Sequence, residues 1–301
     1  MDSVSMHFAT PPSVWRQYPK ALLARRPALV PDGRVVPMIE ARLEGLSVDS
    51  GHLNEYRRVC GFAGDDRLPL TYPHVLAMPL HMAMLTSDAF PVKLLGLVHV
   101  RNSIRSRARI AQDDVLDLHC HLSGHRETDR GQEFDLVTEC TVADEAVWSE
   151  TSTFLARRRK LRDASDGDSA RAAPATSAPA MNDEQPRTVR SASWHADANI
   201  GRRYAAVSGD INPIHIADVT ARLFGFDQAI AHGMWSLART VAELDGGGTA
   251  DAVAIDASFK LPILLPAWVN LHSWEITGGR GFALRDAAGE KPHVTGSFSR
   301  T

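Results

Sequence analysis

The stretch Tyr204-Ala-Ala-Val-Ser208-Gly209-Asp210-Ile-Asn212-Pro213-Ile-His215, followed by Ile230-Ala-His232-Gly233-Met234, decides how the chain is read. An acid and an imidazole stand five positions apart in a segment of Ser, Gly, Asn and Pro. Such residues suit tight, non-repetitive backbone, so the pair does not share one smooth helix face. A loop that folds back brings both side chains into one small volume. After Gly233, the apolar residues Met234, Leu237, Ala238, Val241 and Leu244 recur at helical spacing. The spacing predicts a helix over 234–244, whose first free N–H groups stabilise negative charge. An acid, a base and an anion-stabilising helix start are the parts needed to move a proton beside a carbonyl.

This pattern, Tyr204-x-x-Val207-Ser208-Gly209-Asp210-x-Asn212-Pro213-Ile214-His215 and then Ala231-His232-Gly233-Met234, resembles the MaoC-like hydratase family, the R-specific enoyl-CoA hydratases. The resemblance implies an α+β hot-dog fold, a long central helix wrapped by a curved antiparallel sheet. Here two such units would pack as a pseudo-dimer in one chain. It also implies catalytic roles for Asp210 and His215 and an oxyanion-binding amide at Gly233. Ser208, Asn212 and His232 are the substrate-binding candidates. Each has a local alternative: Ser208 in the turn, Asn212 in holding the loop, His232 at the helix entry. Taken alone, Asp210 and His215 also fit an N-cap acid and a packed histidine.

The implied reaction is reversible hydration of a trans-2-enoyl-CoA, or a related acyl-carrier-protein thioester, to the R-3-hydroxyacyl product. The thioester carbonyl draws electron density from C3, where water adds, and the charge on its oxygen is held at the Gly233 N–H. No cofactor is expected beyond the CoA carried by the substrate, and no metal. The unperturbed groups ionise near about 3.9 for Asp and about 6.5 for His, which leaves open which of the two is the base. Two other readings keep the fold: a non-catalytic acyl-thioester-binding subunit, and a hot-dog acyl-CoA thioesterase.

The chain carries an internal repeat visible without any other sequence. Tyr56-x-x-Val59-Cys60-Gly61 lines up with Tyr204-x-x-Val207-Ser208-Gly209, and His74-Val75 with His232-Gly233. Further on, Asn102 lines up with Ala257, and Leu118-His119-Cys120-His121 with Leu271-His272-Ser273-Trp274. Between Tyr and the helix-opening His the second copy is ten residues longer, and the extra segment holds Asp210, Asn212 and His215. The first copy has kept the frame and lost the chemistry. The expected organisation is an N-terminal extension (1–33) broken by prolines, a degenerate hot-dog (34–156) to which the resemblance gives accommodation of the acyl chain, a flexible Ala/Ser/Pro-rich linker (157–187) and a catalytic hot-dog (188–301). In the first copy a buried helix is expected over 74–85, kinked or confined by Pro79. Strands are expected at 94–100, 115–122, 134–142 and 151–155, then at 253–261, 268–276, 281–284 and 294–299.

Composition sets the outer limits. The chain has 301 residues, 44% hydrophobic and 23% charged, with a formal net charge of −3, which gives no reason to expect a nucleic-acid partner. Cys60, Cys120 and Cys140 are odd in number and form no CxxC pair, so a reducing, cytoplasmic setting is expected. No apolar run suits a membrane span, and a homodimer is left open as the assembly. His119, Cys120, His121 and His125 raise the question of a metal, but the repeat sets His272 and Trp274 at the positions of His119 and His121, and no third ligand is evident beside those two. Lys260, Arg101 and Arg105 are candidates for the phosphates of CoA, with solvated surface as the alternative.

Overall fold

The structure of the protein is a computed structural model, which describes residues 3–158, 188–246 and 252–300. In chain order the first part gives β1 (Ser3–Phe8), α1 (Val14–Leu23), β2 (Met38–Ser47), α2 (Ser50–Cys60), α3 (Tyr72–Thr86), β3 (Leu97–Ser106), β4 (Val115–Thr128), β5 (Gly131–Val142) and β6 (Glu145–Arg157). The second part gives β7 (Thr188–Ala196), α4 (Ile200–Ser208), a 3-10 turn (Pro213–His215), α5 (Asp218–Arg222), α6 (Gly233–Asp245), β8 (Val253–Phe259), β9 (Ala267–Ile276), β10 (Gly279–Asp286) and β11 (Pro292–Arg300).

All strands join one 11-stranded sheet in the order β1-β2-β4-β5-β6-β3-β8-β11-β10-β9-β7. Without β1 this order is a palindrome, with β2, β4, β5, β6 and β3 mirrored by β7, β9, β10, β11 and β8. Antiparallel β3 and β8 join the copies at the centre, and there Asn102 lies directly opposite Ala257, the pair aligned by the repeat. This is the double hot-dog expected from the sequence, with α3 and α6 as the two central helices.

Strand alternation builds the layers. On β4, Leu116, Leu118, Cys120 and Leu122 are buried while His119 and His121 take the other face. Helix α3 is buried nearly all round, Leu80, Met84 and Tyr72 among its residues. It continues past Pro79, so the proline does not confine the helix to its start. The missing hydrogen bond at a proline costs about 3 kcal/mol. Burying several large side chains, at roughly 1.5–3 kcal/mol each, outweighs that cost.

Residues 1–33 do more than lead into the first unit. Strand β1 pairs in parallel with β2, and α1, with Pro19 inside it, packs on α3. The linker reading over 157–187 lies outside the described residues except for Arg157 and Arg158. The strand edges extend past most sequence expectations; β6, for example, starts at Glu145 rather than 151.

Candidate active site

Helix α4 ends at Gly209, whose φ of 73° is the left-handed conformation that glycine adopts at least cost. The reversal sends the chain into 210–215. There Ser208 Oγ accepts from the Asp210 N–H at 3.1 Å, and Asn212 Oδ1 accepts from the Ile214 N–H at 3.4 Å. These two candidates bond to the loop itself, their local alternative. The 3-10 turn that follows rests on α4 at Gly201, where a Cβ would stand 2.0 Å from the His215 carbonyl oxygen. Only glycine permits that approach, and it fixes the height of His215 above the helix. From the far side, Ile230 N–H donates to the Ile214 carbonyl at 3.1 Å, which brings the 230–233 segment alongside.

Asp210, His215 and His232 each place one donor atom within 4.8 Å of the others. His215 and His232 are buried and their rings stack at 3.7 Å, whereas the Asp210 side chain is 32% exposed and forms the solvent side of the group. His215 Nδ1 lies 2.8 Å from the Ile230 carbonyl oxygen. A carbonyl only accepts, so Nδ1 carries the hydrogen and a neutral ring leaves its lone pair on Nε2. His232 Nε2 donates to the Asp210 carbonyl at 2.9 Å by the same reasoning and lies 3.8 Å from Oδ2. Gly233, the next residue, is the first of α6, so its N–H has no partner within the helix.

Burial shapes the protonation states. It holds the His215 imidazole below its usual range, against the pull of Asp210. Burial and the neighbouring His215 press His232 down to about 3. For Asp210 burial favours the neutral acid, but the two imidazoles, the Asn212 amide and the Tyr18 hydroxyl outweigh it and leave the carboxyl below its ordinary value. At neutral pH the group is one carboxylate and two neutral imidazoles.

Tyr18 is the participant that sequence reasoning missed. Its hydroxyl donates to Asp210 Oδ1 at 3.0 Å across 192 positions of chain, and it comes from α1, in the segment read only as an extension. Gly209 also sits against Val14 of α1 and Met78 of α3. The loop of the second copy is therefore covered by α1 of the N-terminal segment, with Met78 of the first copy beside Gly209. No local signal marks Tyr18, because its role comes wholly from the docking of α1.

The first copy fills its corresponding location differently. His74, the counterpart of His232, bonds through Nδ1 to Glu150 at 2.8 Å, and Asn102 donates to the same carboxylate at 2.6 Å. Both ionisable groups are buried. Burial opposes charge on Glu150, but His74 overcomes it and holds the carboxyl down to about 2. The short 61–73 loop of this copy borders a cavity of about 190 Å³ with Val241 and Ala242 of α6, in place of an acid–imidazole pair.

Of the CoA-phosphate candidates, Arg101 is engaged by Glu133 and Arg105 by Asp256, at 2.5 and 2.7 Å, while Lys260 is exposed just beyond β8. On the outer face of β4, His119 and His121 do meet a third ligand type, Glu139 of β5, contrary to the sequence reading. His125 instead stacks on Phe134 at 5.1 Å. Strand register put Glu139 there, and register was not readable from the sequence.

Residues 176–296 match the family model described as "MaoC like domain". The chain is 34% identical over 267 residues to a Mycobacterium tuberculosis protein named 3-hydroxyacyl-thioester dehydratase X, covering 89% of this chain and 91% of that one. The crystal structure of HtdX from the same organism aligns with a TM-score of 0.72 at 31% identity, over 87% of this chain and 100% of that one. A MaoC-like dehydratase from Phytophthora capsici shares the fold at a TM-score of 0.69 and 16% identity, over 88% and 95% of the two chains.

Proposed function

Since the chain belongs to the MaoC-like dehydratase family and is a hydratase/dehydratase of acyl thioesters, we propose that it interconverts trans-2-enoyl and R-3-hydroxyacyl thioesters through a water held between Asp210 and His215. The observation that carries this reading is the tautomer of His215. Its Nδ1–H is committed to the Ile230 carbonyl, so Nε2 keeps the free lone pair of a ring that brings one nitrogen within 4.8 Å of an Asp210 carboxylate oxygen.

In the hydration direction, water oxygen bonds to C3 as the C2–C3 π pair shifts toward the thioester carbonyl. One water proton passes to His215 Nε2. The enolate oxygen is met by the Gly233 N–H, where the start of α6 adds its positive end. The imidazolium then returns the proton to C2, so that one water is consumed and the histidine ends neutral. Asp210 accepts from the second O–H of the water and stabilises the transient imidazolium. Dehydration runs the same steps backward, with His215 taking the C2 proton and giving it to the departing hydroxyl. His232 stays neutral and holds the Asp210 carbonyl, since a second charge beside His215 would oppose its protonation. Ser208 and Asn212 shape the loop in this reading.

The first copy accommodates the acyl chain, and CoA or an acyl-carrier protein presents the thioester. A panel of trans-2-enoyl-CoA substrates of increasing length tests the assignment, with loss of enoyl absorbance, product chirality and free thiol all recorded. The reading requires R-3-hydroxyacyl-CoA without thiol release. The S product would reject the stereochemistry, and thiol release without hydration would make the protein a thioesterase.

A further inference from the structure

On the outer face of the sheet, far along the fold from the Asp210 loop, a second group of side chains has the chemistry of a ligand set. His119 and His121 project from the same face of β4. Glu139 of β5 stands opposite His119 in register, and Glu40 of β2 opposite His121. His119, His121 and Glu139 each bring one donor atom within 4.8 Å of the other two.

The arrangement around His119 is directional. Its Nε2 bonds to Glu40 Oε2 at 3.1 Å, and the other oxygen of Glu40 accepts from the Ser5 hydroxyl of β1 at 2.8 Å. A carboxylate only accepts, so Nε2 carries the hydrogen. Its other nitrogen, Nδ1, faces Glu139 Oε2 at 3.5 Å. An imidazole nitrogen and a carboxylate oxygen that face each other at this distance can share a bound cation. A tetrahedral ion with bonds of about 2.0–2.1 Å sets its donors about 3.3 Å apart, so this pair needs a shift of only a few tenths of an ångström. His121 Nδ1 is buried and has no hydrogen-bond partner among the described residues. The opposing charge is Arg42, 3.7 Å from Glu40.

We propose that His119, His121 and Glu139 form a binding site for a divalent transition ion of the Zn²⁺ class, with Glu40 as the carboxylate that orients His119 and water in the fourth position. Two imidazoles and a carboxylate suit zinc and its first-row neighbours, whereas Mg²⁺ and Ca²⁺ prefer all-oxygen shells. A carboxylate on the far nitrogen of a ligating histidine is the usual means of fixing its tautomer. The ion ties β4 to β5 and, through Glu40 and Ser5, to β2 and β1. Strand β1 leads into α1 and hence to Tyr18, so the ion steadies the segment that covers the Asp210 site.

The test uses the full chain without an affinity tag, stripped by chelator and dialysed clear of it, with Zn²⁺ as the titrant in calorimetry and Co²⁺ as the optical probe. The expected result is one equivalent bound at micromolar or tighter affinity, with an upward shift of the thermal midpoint. His121→Ala and Glu139→Gln should each weaken binding by about tenfold or more, the scale on which lost zinc ligands and their supports act. The Co²⁺ absorption should change with them. His215→Ala, which alters the other donor group, should bind as the wild type does. Circular dichroism of the metal-free variants checks that they are folded. The inference is overturned by any of three results: no binding to the wild type, equal binding by both outer-face variants, or loss of binding in His215→Ala, which would place the ion beside Asp210.

Discussion

Replacing Tyr18 with Phe removes one oxygen atom and leaves the ring that packs α1 in place. The phenol is buried, and burial together with the charge of Asp210 pushes its ionisation well above the usual range, so it remains an O–H donor at any working pH. It gives Asp210 Oδ1 a bond of 3.0 Å, and the Asn212 N–H gives the same oxygen one of 3.1 Å. A hydrogen bond to a charged group contributes about 1.5–3 kcal/mol. At 1.36 kcal/mol per factor of ten, its full loss sets a ceiling between about tenfold and a hundredfold. The Asn212 bond survives and the Asp210 side chain is 32% exposed, so water substitutes in part. The expected loss in kcat is therefore near the lower end, about tenfold, with little change in KM. The pH profile should move as well. The acid limb reports both groups: His215 loses its lone pair on protonation, and without the Tyr18 bond, which favours the charged carboxylate, Asp210 is protonated at a higher pH and steepens the fall. Stopped-flow loss of enoyl-thioester absorbance across pH, with a thermal melt to confirm the fold, provides the assay. An unchanged kcat and an unchanged acid limb would refute the view that α1 holds the carboxylate in working geometry.

Other outcomes follow from the same geometry. Gly201→Ala would drive a methyl group into the His215 carbonyl, 2.0 Å from the built Cβ, so the turn must shift; activity should fall more steeply than the thermal midpoint, for which about 1–3 kcal/mol of overpacking is expected. His215 lies below the ordinary histidine range, so kcat/KM should hold through about pH 6.5 and decline only at lower pH as the base becomes protonated; a decline at the ordinary value would contradict its burial. Glu150→Gln leaves His74 buried without its charge partner and should cost about 3–5 kcal/mol in denaturant unfolding. In the wild type, Glu150 titrates near 2 when folded, against 4.5 as its ordinary value; its contribution is thus complete above the unfolded value and should fade as pH drops between the two, as acid unfolding with and without the substitution would show.

Much of this architecture was legible because it is written twice. The Tyr56 and Tyr204 motifs fall on α2 and α4, His74 and His232 stand at the starts of α3 and α6, and aligned Asn102 and Ala257 face each other across the central strand pair. The Asp210–His215 turn was legible because its geometry is local, set by Ser208, Gly209, Asn212 and Pro213 within a few residues. What escaped depended on distance or register. Tyr18 reaches Asp210 only after α1 docks on α3, and Glu139 meets His119 only once β4 and β5 have paired. Strands β1 and β2 did carry a signal, the alternation of Ser3-Val4-Ser5-Met6-His7-Phe8 and of Met38-Ile39-Glu40-Ala41-Arg42-Leu43. The nearby prolines drew the reading toward irregular chain. Pro79 does not end α3, because burial of the helix outweighs the local penalty.

The central claim is that Asp210 and His215 work as one unit on a single water. The direct measurement is the hydration rate of a trans-2-enoyl-CoA by Asp210→Asn, His215→Ala and the double variant, each confirmed as folded by circular dichroism. Groups that act as a unit are far from additive. Each single variant should therefore lose about a thousandfold or more, as removal of a positioned general base does at its strongest, and the double variant should be little worse than either. Single variants within tenfold of the wild type, or losses that multiply in the double variant, would contradict it.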